Sequence, residues 1–371
     1  MADIRLVKIG DIVTTNASSY SSKDHWKYVN YLDTGNITQN VIDSIQRIDL
    51  IQEKLPSRAK RKVKENSIVY STVRPNQLHY GMIRNQPKNL LVSTGFTVID
   101  VDERQAVAEY VYYFLTQKEI VESLQAIGEQ SVSTYPSIKP SDIEDIEIPL
   151  PSLDVQKKIV GILKSLDTKI KTNSDINNNL LEQAQALYTS MFISNADPSW
   201  QQGHLSDLIT VRYGKDHKKL ADGSYPVYGS GGIMRYAEQP LYERESVLIP
   251  RKGTLNNVMY VNEPFWSVDT MFYTEMRIPN VAKFVYHFVK SKDLVSLNAG
   301  SAVPSMTTDI LNAMELLIPS ELALAEFEAI VAPMYKAMKD NDIQTAQLAK
   351  LRDSLLPKLM SGEVDVSKVE I

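Results

Sequence analysis

The residues best placed to do chemistry in this 371-residue chain are basic and clustered. Residues 51–90 hold nine Lys and Arg against two acids, Glu53 and Glu65. At their centre is Lys54-Leu-Pro-Ser-Arg58-Ala-Lys60-Arg61-Lys62-Val-Lys64. Residues 101–150 are the reverse, with three basic and ten acidic residues. A run of this density is either a solvated face or a surface that meets phosphate. The whole chain carries a net charge of −5, so any anion-binding role is local. A second, shorter cluster is Lys215-Asp-His217-Lys218-Lys219.

Catalytic groupings are harder to assemble. There is no cysteine, which excludes a disulfide scaffold, a thiolate metal site and a Cys nucleophile, and fits a reducing cytosol. The five histidines, His25, His79, His204, His217 and His287, show no metal-ligand spacing and sit in no hydrolase motif. Asn262-Glu-Pro-Phe265 approaches the loop with which amino-methyltransferases hold a flipped base, but Glu263 replaces its first proline and no cofactor-binding glycine loop precedes it. Gly229-Ser-Gly-Gly232 lacks the Lys-Ser/Thr of a nucleotide-binding loop and reads as a tight turn. Hydrophobic residues make up 43% and charged residues 23%, an ordinary balance for a packed protein. No run reaches the roughly 18 apolar residues of a membrane span. Met1–Gly10, charged at Asp3, Arg5 and Lys8, is no signal peptide.

The elements that position these residues come in duplicate. Glu109-Tyr-Val-Tyr-Tyr-Phe-Leu115 matches Lys283-Phe-Val-Tyr-His-Phe-Val289, and each is followed by a glycine, Gly128 or Gly300. Pro136-Ser-Ile matches Pro304-Ser-Met, and Asp142-Ile matches Asp309-Ile. Upstream, Glu65–Arg74 resembles Arg244–Arg251, and Phe96 falls beside Phe272. Each mixed α/β copy ends in a long heptad pattern. The first seam is Ile159, Leu163, Leu166, Ile170, Asn173, Asn177, Leu180, Ala184, Leu187 and Met191. The second is Phe327, Val331, Met334, Met338, Asn341, Thr345, Leu348, Arg352, Leu355 and Leu359, at a constant offset of 168 residues. The first helix is expected from about Ser152 to Ile193, a rod of roughly 60 Å. The second is expected to end near Gly362, with a kink or break at Pro333. The equal phases predict an antiparallel pair with Asn173 and Asn341 near its crossing.

Ile148-Pro-Leu-Pro-Ser-Leu-Asp-Val-Gln156-Lys-Lys-Ile-Val160 resembles the helix start of type I restriction-modification specificity subunits, and Leu351-Arg-Asp-Ser-Leu-Leu-Pro-Lys-Leu-Met-Ser-Gly362-Glu resembles their C-terminal signature. Tyr225-Pro-Val-Tyr-Gly-Ser-Gly-Gly-Ile233, Pro250-Arg-Lys-Gly-Thr254 and Val73-Arg-Pro75 are similar to their target-recognition domains. The likeness covers essentially the whole chain. It implies a mixed α/β fold of two target-recognition domains, 1–150 and 204–319. Spacer helices follow at 151–193 and 320–362, with a linker at 194–203 and a tail at 363–371. It implies a cytoplasmic, non-catalytic subunit that reads a split target in double-stranded DNA. Two modification subunits that carry S-adenosylmethionine and methylate adenine are its implied partners, as are motor-nuclease subunits that use ATP and Mg. No cofactor is expected on this chain and no membrane partner. The second helix start, Ser320-Glu-Leu-Ala-Leu-Ala325, lacks the residue that Gln156 supplies, which implies a different contact with partners. The Met1 start and the C-terminal signature argue against a larger fused enzyme.

On that premise the residues sort by chemistry. Lys54, Arg58, Lys60, Arg61, Lys62 and Lys64 are phosphate candidates in the first copy, as are Lys215, His217, Lys218 and Lys219 in the second. Arg74, Asn76, Gln77 and His79 are base-edge candidates, because Arg pairs with guanine and Asn or Gln with adenine through two-pronged hydrogen bonds. Arg251, Lys252, Thr254, Asn256 and Asn257 take the corresponding place in the second copy. A plain surface hairpin is the alternative for the Arg74 loop. Tyr20, Trp26, Tyr228 and Trp266 are aromatic candidates for stacking, with core packing the alternative for both tryptophans. A coiled-coil adaptor with two peptide-binding modules is the competing reading of the whole chain.

Overall fold

The computed structural model describes residues 4–131, 135–297, 305–366 and 369. Gly300 and Pro304, used above to mark the repeat, lie outside them. The chain forms two compact units, Met1–Thr172 with Gln344–Ile371, and Asn173–Ile343.

The first unit holds two four-stranded sheets. One runs Val13–Thr15, Phe96–Val101, Ile68–Ser71, Tyr80–Met82, antiparallel throughout. The other runs Gln46–Asp49, Tyr28–Leu32, Leu90–Ser93, Ala59–Lys62, with one parallel pair between Tyr28–Leu32 and Leu90–Ser93. Ile68-Val-Tyr-Ser71 is buried along its whole length, so it shows no polar alternation. Ile68 and Tyr70 pack toward Tyr110, Val111 and Phe114 of the helix Ala108–Leu115. Val69 faces the other way, into a core with Leu32, Leu90 and Phe96. A ribbon of Arg5–Lys8 against Glu147–Leu150 leads into the first long helix.

The second unit repeats the plan. Its main sheet runs Ile209–Tyr213, Met271–Met276, Ser246–Pro250, Met259–Val261. A three-stranded sheet places Asp222–Gly229 between Gly232–Ala237 and Trp266–Ser267. Gln201–His204 pairs with Glu315–Ile318 as the ribbon does in the first unit. Backbone bonds fix the equivalences. Thr72 N–H donates to the Gly95 carbonyl at 2.8 Å, as Arg251 N–H does to Thr270 at 2.9 Å. Ser71 opposes Phe96, as Pro250 opposes Met271. Phe96 therefore corresponds to Met271, not to Phe272: similarity of side chain misplaced the match by one residue.

The first long helix spans Leu153–Thr189 and continues as a wider π-turn through Ser194. The second spans Glu321–Met360 without interruption. The break expected at Pro333 does not occur; Pro333 lies on the exposed side of a helix held by its buried face. Every seam position named from the sequence is buried or half-buried. In the first unit Ile159 and Leu163 share a core with Leu356 and Leu359, and Arg352 Nη1 meets Asp167 Oδ1 at 2.8 Å. In the second, Asn173 Nδ2 donates to the Asn341 carbonyl at 3.4 Å and Asn177 Nδ2 to the Met338 carbonyl at 3.1 Å. Numbers rise along one helix as they fall along the other, so the pairing is antiparallel in each unit. Among the described residues no helix is long and apolar enough to cross a membrane.

Gln156 is fully buried. Its Oε1 accepts from Val107 N–H at 2.8 Å, and its Nε2 donates to the Pro151 carbonyl at 2.8 Å. It holds the start of the helix Ala108–Leu115, and Leu324, also fully buried, stands in its place in the second unit. The difference at this position is internal to each unit, a polar tie replaced by apolar packing.

His287 is fully buried, between Gln185 Oε1 at 2.8 Å from Nδ1 and the Tyr335 hydroxyl at 2.9 Å from Nε2. With a hydroxyl donating to Nε2 the neutral ring is the one that fits, and burial lowers the pKa to about 4. The unfolded chain, with a His pKa near 6.5, then binds more protons than the folded one at acid pH. The stabilisation is complete above about pH 6.5 and is lost as pH falls toward 4. Thermal melts across that window should show the second unit weakening, on the order of 3 kcal/mol in all. His287→Gln should flatten the dependence; an unchanged slope would show that other groups cause it.

Candidate nucleic-acid interface

The strand Ala59–Lys62 sorts the basic run by its alternation. Ala59 is buried and Lys60 exposed, while Arg61 is half-buried and its Nε has no hydrogen-bond partner among the described residues. Burial pulls the Arg61 pKa down. Lys62 hydrogen-bonds to Asp24, holding that carboxyl below the usual range, and its ammonium lies 5.4 Å from the Trp26 ring centre. Lys64 Nζ is 3.8 Å from Asp100 Oδ2. Lys54 and Arg58 are exposed. Lys54, Arg58 and Lys60 are thus the exposed cations of the run with no ion pair among the described residues.

The Arg74 loop is built under backbone strain. Arg74 at φ 49° and Leu78 at φ 59° bracket a 3-10 turn, Pro75–Gln77, in the left-handed region. A residue with a Cβ gives up about 1 kcal/mol or more there. The turn is tied down where Arg74 N–H donates to the Pro136 carbonyl at 2.9 Å and Asn76 N–H to Gln125 Oε1 at 3.3 Å. The Arg74 guanidinium lies over the Tyr135 ring, 4.4 Å from its centre. Asn76 and Gln77 are exposed. His79 Nδ1 sits 2.8 Å from the Ile37 carbonyl and 3.2 Å from Thr38 Oγ1. A cavity of about 490 Å³ gathers Arg58, Arg74, Gln77 and His79 with Thr34 and Tyr135. The other basic candidates and Asn76 do not line it.

In the second unit Gly214 turns the chain into the Lys215–Lys219 loop. Lys215 N–H donates to the Ser267 carbonyl at 2.8 Å, and Trp266 Nε1 to the Lys215 carbonyl at 2.9 Å, which places Trp266 in the core. Lys215, Lys218 and Lys219 are exposed. His217 is half-buried, with Nδ1 unpartnered among the described residues. Lys252 and Thr254 are exposed, whereas Arg251 lies 5.3 Å from the Tyr213 ring centre and donates to the Asp269 carbonyl at 3.4 Å. Asn256 Nδ2 reaches Asp293 Oδ1 at 3.3 Å, and Asn257 Nδ2 the Ser230 carbonyl at 2.8 Å. Both amides therefore hold their own loop.

The correspondence of the two arginines needs correction. Val73 bridges Ser137 as Lys252 bridges Ser305. Counting on by one residue, Arg74 matches Gly253, which also has positive φ, +83°. Arg251 matches Thr72. The loops are equivalent, but Arg251 does not stand where Arg74 stands. Sequence reading also missed Tyr135 and Thr34, which reach the Arg74 cavity from far along the chain and carry no local pattern. Gly229–Gly232 forms the expected tight hairpin turn, and in Asn262–Phe265 Phe265 is fully buried while Glu263 pairs with Lys339 at 3.2 Å. Among the described residues no group of acids and histidines could hold a metal ion.

This doubled arrangement agrees with the sequence comparisons. Residues 1–182 and 198–351 match the family described as the type I restriction modification DNA specificity domain. The chain belongs to that family. It is 22% identical to the type I restriction enzyme HindI specificity subunit of Haemophilus influenzae, covering 98% of this chain and 100% of that one. It is 24% identical to the MjaIX specificity subunit of Methanocaldococcus jannaschii, covering 99% and 94%. Among solved structures it resembles the type I restriction-modification S subunit from M. genitalium, with a TM-score of 0.58 and 18% identity over 97% of this chain and 96% of that one. That likeness establishes the fold of a specificity-family protein.

Within this family fold, Gly214 has no room for a side chain: an added Cβ would lie 2.0 Å from the Val268 carbonyl oxygen and 2.6 Å from that of Ser267. Gly214→Ala should displace the Lys215–Lys219 loop and lower the melting temperature of the chain, with a loss of several kcal/mol. A melt within a degree of wild type would show that the loop is not anchored there.

Proposed function

We propose that this chain is the DNA-sequence-specificity subunit of a type I restriction-modification complex, each unit reading one half of a split target. The observation that carries the reading is the doubled fold itself, with a shared backbone register and different polar side chains in the equivalent loops: Arg74, Asn76 and Gln77 in one, Lys252 and Thr254 in the other. Shared register delivers both loops to a two-part site in the same way, and unlike side chains give each part its own sequence. Exposed Lys54, Arg58, Lys60, Lys215, Lys218 and Lys219 supply phosphate contacts, which set affinity without choosing sequence.

The chain is non-catalytic in this reading and acts in the cytoplasm. Its partners are two modification subunits, which bring S-adenosylmethionine and methylate adenine, and motor-nuclease subunits, which bring ATP and Mg. The helices bind the modification subunits and fix the distance between half-targets, acting as a ruler of about one to two turns of duplex.

Replacing residues 1–150 with those of a relative, in a host carrying the complete system, should change one half of the methylated site and leave the other. Change in both halves, or in neither, would overturn modular reading. A protein-binding adaptor would leave no sequence-specific methylation to map.

The phosphate assignment has its own measurement. Duplex affinity measured at several salt concentrations should give a slope reduced by about 1 for Lys60→Ala or Lys54→Ala. Lys62→Ala should change the slope less, because Asp24 already engages its ammonium. Equal effects from all three would show that the ion pair opens on binding.

A further inference from the structure

Resting on the reading of the first unit as a DNA-reading module, we propose that the cavity beside Arg74 is a guanine-reading pocket. In it Arg74 is the specificity-determining residue and Tyr135 the positioning residue. The half-target read by the first unit would therefore contain a guanine at one fixed position.

Three observations lead there. First, the fold requires positive φ at this point of the loop, and the second unit meets the requirement with Gly253. The first unit keeps an arginine in the same strained conformation. Glycine would serve the backbone better, so the arginine side chain must be what is retained.

Second, the guanidinium is stacked 4.4 Å from the Tyr135 ring centre. A guanidinium held over a ring face can still offer its forked N–H donors to a ligand. The major-groove edge of guanine offers two neighbouring acceptors, N7 and O6, that match this fork; no other base does.

Third, the surroundings favour a base edge over a phosphate. None of the residues lining the cavity is acidic. Four of the backbone N–H groups lining the cavity are already engaged: Thr72 by the Gly95 carbonyl, Arg74 by Pro136, Gln77 by Arg74 and Thr94 by Arg58. Gly95 N–H donates to Ser93 Oγ. What remains are side chains suited to neighbouring base edges. The Ile37 carbonyl can only accept, so His79 Nδ1 carries a proton and donates to it, leaving Nε2 for a ligand. The Gln77 amide both donates and accepts.

The test uses the full chain assembled with its methyltransferase partner and a duplex library randomised in both half-sites. Wild type should select guanine at one position of the half-site that follows residues 1–150 on domain exchange. Arg74→Lys keeps the charge and removes the fork; preference for guanine there should fall about ten- to hundred-fold, with the other half-site unchanged. Arg74→Gly relieves the backbone, so its melting temperature should equal or exceed wild type while guanine preference is lost, which separates reading from folding. Tyr135→Phe should retain the preference and Tyr135→Ala should lose most of it. An unchanged selected sequence in Arg74→Lys and Arg74→Gly would overturn the proposal. So would an affinity loss in Arg74→Gly that is uniform across sequences and accompanied by a smaller salt slope, the sign of a phosphate contact. If wild type selects no sequence that moves with residues 1–150, the failure lies instead with the first unit as a reading module.

Discussion

Each globular part depends on a hydrogen bond to the long helices at one repeated position. In the first unit the Tyr113 hydroxyl donates to Asp167 at 2.6 Å, and Arg352 from the other helix holds the second oxygen of that carboxylate. In the second, His287 stands in the place of Tyr113 and Tyr335 in the place of Asp167, and the two are again joined, at 2.9 Å. The chemistry has changed and the geometry has not. A part-buried polar pair of this kind costs free energy unless satisfied, which favours one rotation of the helix against its sheet. Once that rotation is set, the apolar seam must face the other helix. The Asn layer at 173, 177 and 341, which exchanges bonds among its amides and backbone carbonyls, then admits one register.

Charge follows a related rule. Position 109 carries Glu paired with Arg84, while its equivalent carries Lys283, almost fully buried between Glu245 at 3.0 Å and Glu328 at 2.7 Å. The sign is inverted between the copies. A helix from one unit placed in the other would bring like charges together, a mispairing that costs free energy in a buried site. Duplicated folds risk exchanging equivalent parts, and this inversion opposes that exchange.

The helices were legible in the sequence because their signal is periodic and long. Ten seam positions in each, at a fixed offset, leave little room for another arrangement, and all are buried or half-buried. Pro333 misled because a local rule was applied to a helix held by tertiary contacts on its opposite face. The sheets were legible only as repeats. Ile68–Ser71 and Ser246–Pro250 are buried along their length, so their patterns contain no period to say which residue faces which core. Matching by likeness then set Phe96 on Phe272 and Arg74 on Arg251, where backbone hydrogen bonds set Phe96 on Met271 and Arg74 on Gly253. The basic residues were identifiable by type, but which of them are committed was not. That Asp24 engages Lys62, or Asp293 engages Asn256, depends on partners 38 and 37 residues away.

The comparison of Arg74 with Gly253 shows how a duplicated fold can change a corner side chain and keep its backbone path. Backbone bonds from the loop to residues 136–138 in one copy, and from Arg251 and Lys252 to Ser305 and Met306 in the other, hold the same path. Positive φ at its corner follows from that path and is independent of the side chain. Glycine satisfies the corner at no steric cost and contributes nothing beyond the backbone. Arginine accepts strain and places a forked donor, beside an aromatic ring, in the lining of a cavity. In the second copy, with glycine at the corner, Lys252 and Thr254 are exposed and Asn256 and Asn257 hold the loop. On the proposed reading, a single corner residue would move the reading element along the loop while the scaffold beneath keeps its register. On that reading, two such loops on one repeated backbone can specify unlike sequences.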